Sequence, residues 1–188
     1  MTTSNPAPRY DATLRFLHWA MAAIILTAIA LGVVAALLPR GVSPRVELLT
    51  IHKSLGMTAL GLIVLRVVWR LFVGAPPYSA ALGVLNRLGA HAAHLALYAP
   101  MIAMPVTGYV NSVAGGHDAP WFGLFEFPAV VDRNEALAHR AGFAHYGLAW
   151  AIGAVLALHI AAAAWHAWVK RDDVFARMGP ARADGANA

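Results

Sequence analysis

The stretch "HYGLAWAIGAVLALH", residues 145–159, places two histidines at the ends of thirteen uncharged residues. Fourteen positions separate His145 from His159. On an α-helix that is about 21 Å of rise, and fourteen steps of about 100° bring the second side chain to within about 40° of the first. One helix therefore carries two imidazoles on one face, one in each half of a bilayer about 30 Å thick. No formal charge occurs between Arg140 and Lys170, so this helix reads as a membrane span.

The rest of the chain has the same character. It has 188 residues, 60% of them hydrophobic and 12% charged, where a soluble domain is about 45–50% apolar and about 25% charged. A span needs about 20 apolar residues. Trp19 to Leu38 supplies an uncharged run that Pro39 ends, and it is too long for a signal peptide. Further spans run from about Val46 to Val68 and from about Leu88 to Val113. The pattern predicts an all-α integral membrane protein, a four-transmembrane-helix bundle over residues 11–179, with disordered tails at 1–10 and 180–188. The one long connection, "AGGHDAPWFGLFEFPAVVDRN" (114–134), mixes Gly, Pro and acids with Trp121, Phe122, Phe125 and Phe127. It predicts an interfacial loop or short amphipathic helix over one end of the bundle.

Fourteen Lys and Arg set the orientation. The side holding both termini and the 66–87 connection carries nine of them, the other side five. The positive-inside rule puts both termini in the cytoplasm. The net charge of +5 flanks apolar runs and forms no stripe, so it predicts topology and not nucleic-acid binding. The absence of cysteine excludes disulfides, iron–sulfur clusters and covalent c-type haem.

The other two intramembrane histidines fall at matching depths. His18 lies 20 residues before the end of its span, about 30 Å of rise, and His52 lies about five residues, or about 8 Å, into the next. The two are thus about 22 Å apart in depth, close to the separation on the fourth span. His52 should level with His145, and His18 with His159. A single imidazole in lipid is usually a hydrogen-bonded packing residue, because an unpartnered polar group there is costly. Two depth-matched pairs favour a different partner, the six-coordinate iron of a non-covalent haem. Small residues one turn after each histidine, Ala22, Gly56, Ala149 and Ala163, leave room for a porphyrin. His166, seven residues past His159 on nearly the same face, lies about 31 Å from the His145 level and reads as interfacial, with replacement of His159 as ligand the alternative. His91 and His94, with i,i+3 spacing, read as an interfacial polar turn, with a metal pair or a quinone hydrogen-bond donor as the alternatives; His94 and Arg70 are candidates for the quinone site. A haem-free transporter using the histidines for protons or metal is the contrasting reading.

Several motifs resemble the bacterial cytochrome b561 family: "RYDATLRFLHW" (9–19), "IHKSLG" (51–56), "APMIAMPVTGYV" (99–110), "WFGLFEFP" (121–128) and "LHIAAAAWHAWVKRDDVFARMGP" (158–180). The likeness covers about residues 9–180. It implies a bundle with two b-type haems in its core, one iron held by His52 and His145 and the other by His18 and His159. It also implies electron transfer between the periplasmic face and membrane quinone. Superoxide would be oxidised to oxygen and ubiquinone reduced, or the chain would serve as membrane anchor and conduit for a periplasmic redox partner protein. Lys53, beside a haem ligand, would steer superoxide or neutralise a haem propionate, with Arg45, Arg133 and Arg140 also at hand. Tyr146 stands where many relatives of that family carry an acid.

Overall fold

The computed structural model describes residues 9–77, 84–172 and 174–179. Four long helices make up most of it: α1 (Ala12–Leu37), α2 (Ser43–Val73), α3 (Val84–Ala114) and α4 (Glu135–Trp165). A π-helical turn, His166–Lys170, continues α4. By length and composition α1, α2 and the continuous Glu135–Lys170 helix can each cross a membrane. α2 packs along α1 and α3, and α3 packs along α4. The result is a four-helix membrane bundle. The expected tails lie outside the described residues, except Arg9 and Tyr10.

α1 begins before its apolar run because its polar N-terminal end is capped. Asp11 accepts hydrogen bonds from Thr13 N at 2.9 Å and Leu14 N at 3.3 Å, satisfying first-turn donors of α1. The indole N–H of Trp69 donates to the same carboxylate at 2.9 Å. These donors, that of Trp69 foremost, hold the Asp11 carboxyl below the usual carboxylate range. At the other end of α1, Arg45 Nη1 donates to Ala35 O at 2.7 Å and Leu38 O at 2.8 Å. Arg45 thus closes a helix C-terminus, where a cation complements the dipole. α2 runs past Arg66, which is buried and donates to Leu14 O at 2.7 Å.

Arg9 and the start of α1 meet the segment 174–179 at one end of the bundle. Arg9 Nη2 and Arg15 Nη1 donate to Gly179 O, and Trp19 Nε1 donates to Met178 O. Arg177 reaches Pro76 O and Pro77 O at 2.9 and 3.0 Å. The segment 174–179 therefore ties the start of α1 to the far end of α2.

At the opposite end, the 114–134 connection forms a β-hairpin where a loop or amphipathic helix was expected. Its strands are β1 (Pro120–Trp121) and β2 (Phe125–Glu126), antiparallel, with Trp121 opposite Phe125. Anchors on α2 hold it. Ser54 is fully buried and shares its hydroxyl proton between Thr50 O at 2.9 Å and Pro120 O at 3.1 Å. Its oxygen accepts from Phe122 N at 2.9 Å. Trp121 Nε1 donates to Thr58 Oγ1 at 3.0 Å. Tyr109 donates its hydroxyl to Pro128 O from α3. The hairpin lies against the stretch of α2 that carries His52.

Candidate haem-binding site

Four helical histidines, from α1, α2 and α4, form two facing pairs. His52 on α2 and His145 on α4 have ring centroids 6.1 Å apart, with planes at 85°. His18 on α1 and His159 on α4 stand 6.2 Å apart, with planes at 67°. The first pair is on the hairpin side, the second on the terminus side. An imidazole–metal bond is about 2.0–2.1 Å, and a five-membered ring with bonds near 1.33 Å has a radius of about 1.1 Å. One metal ion bonded to both rings would put the centroids about 6.3 Å apart. Both centroid separations therefore match that of a single bis-imidazole metal centre.

The hairpin-side rings are also correctly polarised. His52 Nδ1 lies 2.8 Å from Ala28 O, and His145 Nδ1 lies 2.9 Å from Met104 O. A carbonyl only accepts, so each Nδ1 carries the proton and donates. The neutral ring then keeps a lone pair on Nε2, the form a metal binds. Thr107 Oγ1, bonded to Ala103 O and Met104 O, sits 3.4 Å from His145 Nδ1. These acceptors on α1 and α3 are backbone atoms, which no residue pattern announces.

The chain matches the profile of prokaryotic cytochrome b561 over residues 9–181. It belongs to that family. It is 32% identical over 178 residues to "Cytochrome b561 homolog 2" of Escherichia coli (strain K12), covering 95% of each chain. It is 28% identical over 172 residues to "Probable superoxide oxidase CybB" of Yersinia pestis, covering 92% of this chain and 96% of the relative. As a member of the cytochrome b561 family, this is a membrane protein of electron transfer that binds b-type haem.

Within this cytochrome b561 fold the remaining candidates separate. His166 is turned to Asp172, its Nδ1 2.7 Å from Oδ2, while His159 faces His18. Lys53 points its ammonium at Asp118 O, 2.9 Å away, and so ties the hairpin to α2 next to His52. Arg133 pairs loosely with Glu135 at 3.9 Å, and Arg140 is exposed. Tyr146 is exposed on α4 and packs edge-on to Trp150 with centroids 6.4 Å apart, on the outside of the bundle. Trp150 alone among the aromatic rings described makes a ring contact with it. Arg70 stands over the Tyr10 ring at 5.8 Å, with Arg177 also over that ring at 5.6 Å. His91 and His94 lie on the first turns of α3 with side chains outside the described ones.

Proposed function

We propose that this cytochrome carries two b-type haems, one between His52 and His145 and one between His18 and His159. They would carry electrons between the periplasmic face and the membrane quinone pool. The observation that carries this reading is the pair of facing imidazole couples, at 6.1 and 6.2 Å, on a single bundle. The irons, when bound, supply reversible one-electron chemistry. The chain's part would be to hold each iron with two imidazoles and to fix the hairpin-side ring tautomers through Ala28 O and Met104 O. Both haems are non-covalent, since the chain has no cysteine. The Lys and Arg distribution supports cytoplasmic termini in an inner membrane, which makes the hairpin end periplasmic.

Superoxide is the proposed donor, supported by the name of the Yersinia pestis relative. Two superoxide anions each give up one electron and leave as oxygen. Ubiquinone takes the two electrons and two protons and leaves as ubiquinol. With two histidines to hold each iron, the donor would give its electron without binding the metal. Lys53 places a positive charge beside the hairpin-side pair, where it draws an anion inward. A second reading, a conduit for a periplasmic redox protein, is favoured by the exposed hairpin tip. Phe122, Leu124 and Phe125 are 47%, 74% and 48% exposed there.

The test is a pyridine haemochrome assay with a reduced-minus-oxidised spectrum, followed by superoxide-driven reduction of ubiquinone by the purified protein. Two low-spin b haems per chain and quinone reduction are expected. One haem or none would refute the two-centre assignment. Two haems with no response to superoxide, but reduction by a periplasmic protein, would select the conduit.

A further inference from the structure

Room for the hairpin-side imidazoles lies on the neighbouring helices. A Cβ on Gly108 of α3 would stand 2.9 Å from His145 Cε1 and 3.0 Å from its Nδ1. A Cβ on Gly32 of α1 would stand 3.0 Å from His52 Cε1 and 3.1 Å from its Nδ1. Non-bonded carbons rest at about 3.5–4.0 Å, so a side chain at either place displaces the ring. The carbonyls that these rings reach, Met104 O and Ala28 O, each belong to the residue four places before the glycine. An α-helix sets the carbonyl of residue i−4 beneath the amide of residue i. To use that carbonyl's second lone pair, an imidazole from the next helix lies across the position of the Cβ of residue i. Two helices meet this requirement in the same way for the two rings of one pair. Gly61 of α2 is different: it is exposed and has nothing within 4 Å of its Cβ position.

We infer that Gly32 and Gly108 are positioning residues for the hairpin-side haem. Their missing side chains let each imidazole reach a carbonyl of the neighbouring helix, and those hydrogen bonds hold the ring's tautomer, angle and basicity toward iron. The inference rests on the ligation proposed above. A firm Nδ1–H bond to a carbonyl strengthens Nε2 as a donor and favours the ferric state. Weakening it raises the midpoint potential of that haem alone.

The experiment compares purified wild type with Gly32→Ala, Gly108→Ala and Gly61→Ala by haemochrome assay, low-spin EPR and redox titration. His52→Ala identifies the hairpin-side signals. In G32A and G108A the hairpin-side haem is expected to shift upward in potential and change its g-values, or to be lost, with the terminus-side haem unchanged. G61A is expected to match wild type. An unchanged hairpin-side haem in both variants would overturn the inference. So would loss of both haems together, which would assign the glycines to helix packing. A second variant, His145→Gly, adds no atoms at Gly108. Filled with imidazole it is expected to recover the wild-type potential. Filled with 1-methylimidazole, which cannot donate to Met104 O, it should stay higher, and equal potentials would overturn the hydrogen-bond role. Failure of the haem reading itself is distinguishable, because it is already visible in the wild-type spectrum.

Discussion

Replacing Ser54 by alanine isolates the anchor of the hairpin. Ser54 is 0% exposed, and its hydroxyl serves Thr50 O, Pro120 O and the amide of Phe122. Thr50 O keeps its helical partner in the variant, but Pro120 O and Phe122 N–H would face a methyl group. A neutral hydrogen bond contributes about 1 kcal/mol net, and a buried group left unpaired costs about 1–3 kcal/mol. The bonds of Trp121 to Thr58 and of Lys53 to Asp118 persist, so the loss is local, at about 2 kcal/mol. At about 1.4 kcal/mol per factor of ten, the opened fraction of the hairpin rises roughly thirtyfold. Hydrogen exchange followed by mass spectrometry reads this directly, since local opening exposes particular amides. Exchange at Phe122 and at Phe127, whose amide is bonded to Ala119 O at 3.0 Å, should speed up about thirtyfold, with α4 unaffected. Unchanged exchange at Phe122 would refute the reasoning.

His52→Ala should leave one haem per chain in the haemochrome assay, and retention of both would contradict the pairing. Arg66→Ala removes a charge-assisted bond to Leu14 O inside the α1–α2 contact. It should cost about 1.5–3 kcal/mol, seen as a lower melting temperature. Asp11 titrates below its ordinary range in the folded chain, chiefly through Trp69. Its carboxylate therefore stabilises the fold at neutral pH, and that contribution disappears as pH falls below about 4 and through the lower folded value. Asp11→Ala should flatten the melting profile across that acid window, and an unaltered profile would count against the assigned partner. Lys53→Gln should slow superoxide-driven quinone reduction and weaken its dependence on ionic strength. A rate and salt slope equal to wild type would remove the steering role.

The expected and observed structures agree where a local rule governs. Helical rise per residue is a property of the backbone alone, and the bilayer fixes how long an apolar run must be. Those two rules located long helices around Trp19–Leu38 and Val46–Val68, and they levelled His52 with His145 and His18 with His159. The structure brings the same pairs to 6.1 and 6.2 Å. The hairpin follows no such rule. Two-residue strands have no periodicity to read, and β1 is held by Ser54 and Thr58, more than sixty positions earlier in the chain.

The space for the rings shows the same division. Small residues after each histidine on its own helix were the visible signal, and they were read as room for a porphyrin and not for the rings. Yet at Gly56 a Cβ would meet Pro105 of α3 at 4.0 Å, whereas the tight approaches to His52 and His145 are at Gly32 and Gly108. Arg45, at hand as a cation in the sequence, proves to cap α1. The sequence by itself determined the number of long helices, their apolar lengths and which imidazoles stand level with one another, because these accumulate residue by residue along one axis. Only the tertiary structure decided which carbonyl each imidazole meets, which glycine it passes and which side chains clasp the ends. Those are sideways relations between helices, and no count of positions along the chain encodes them.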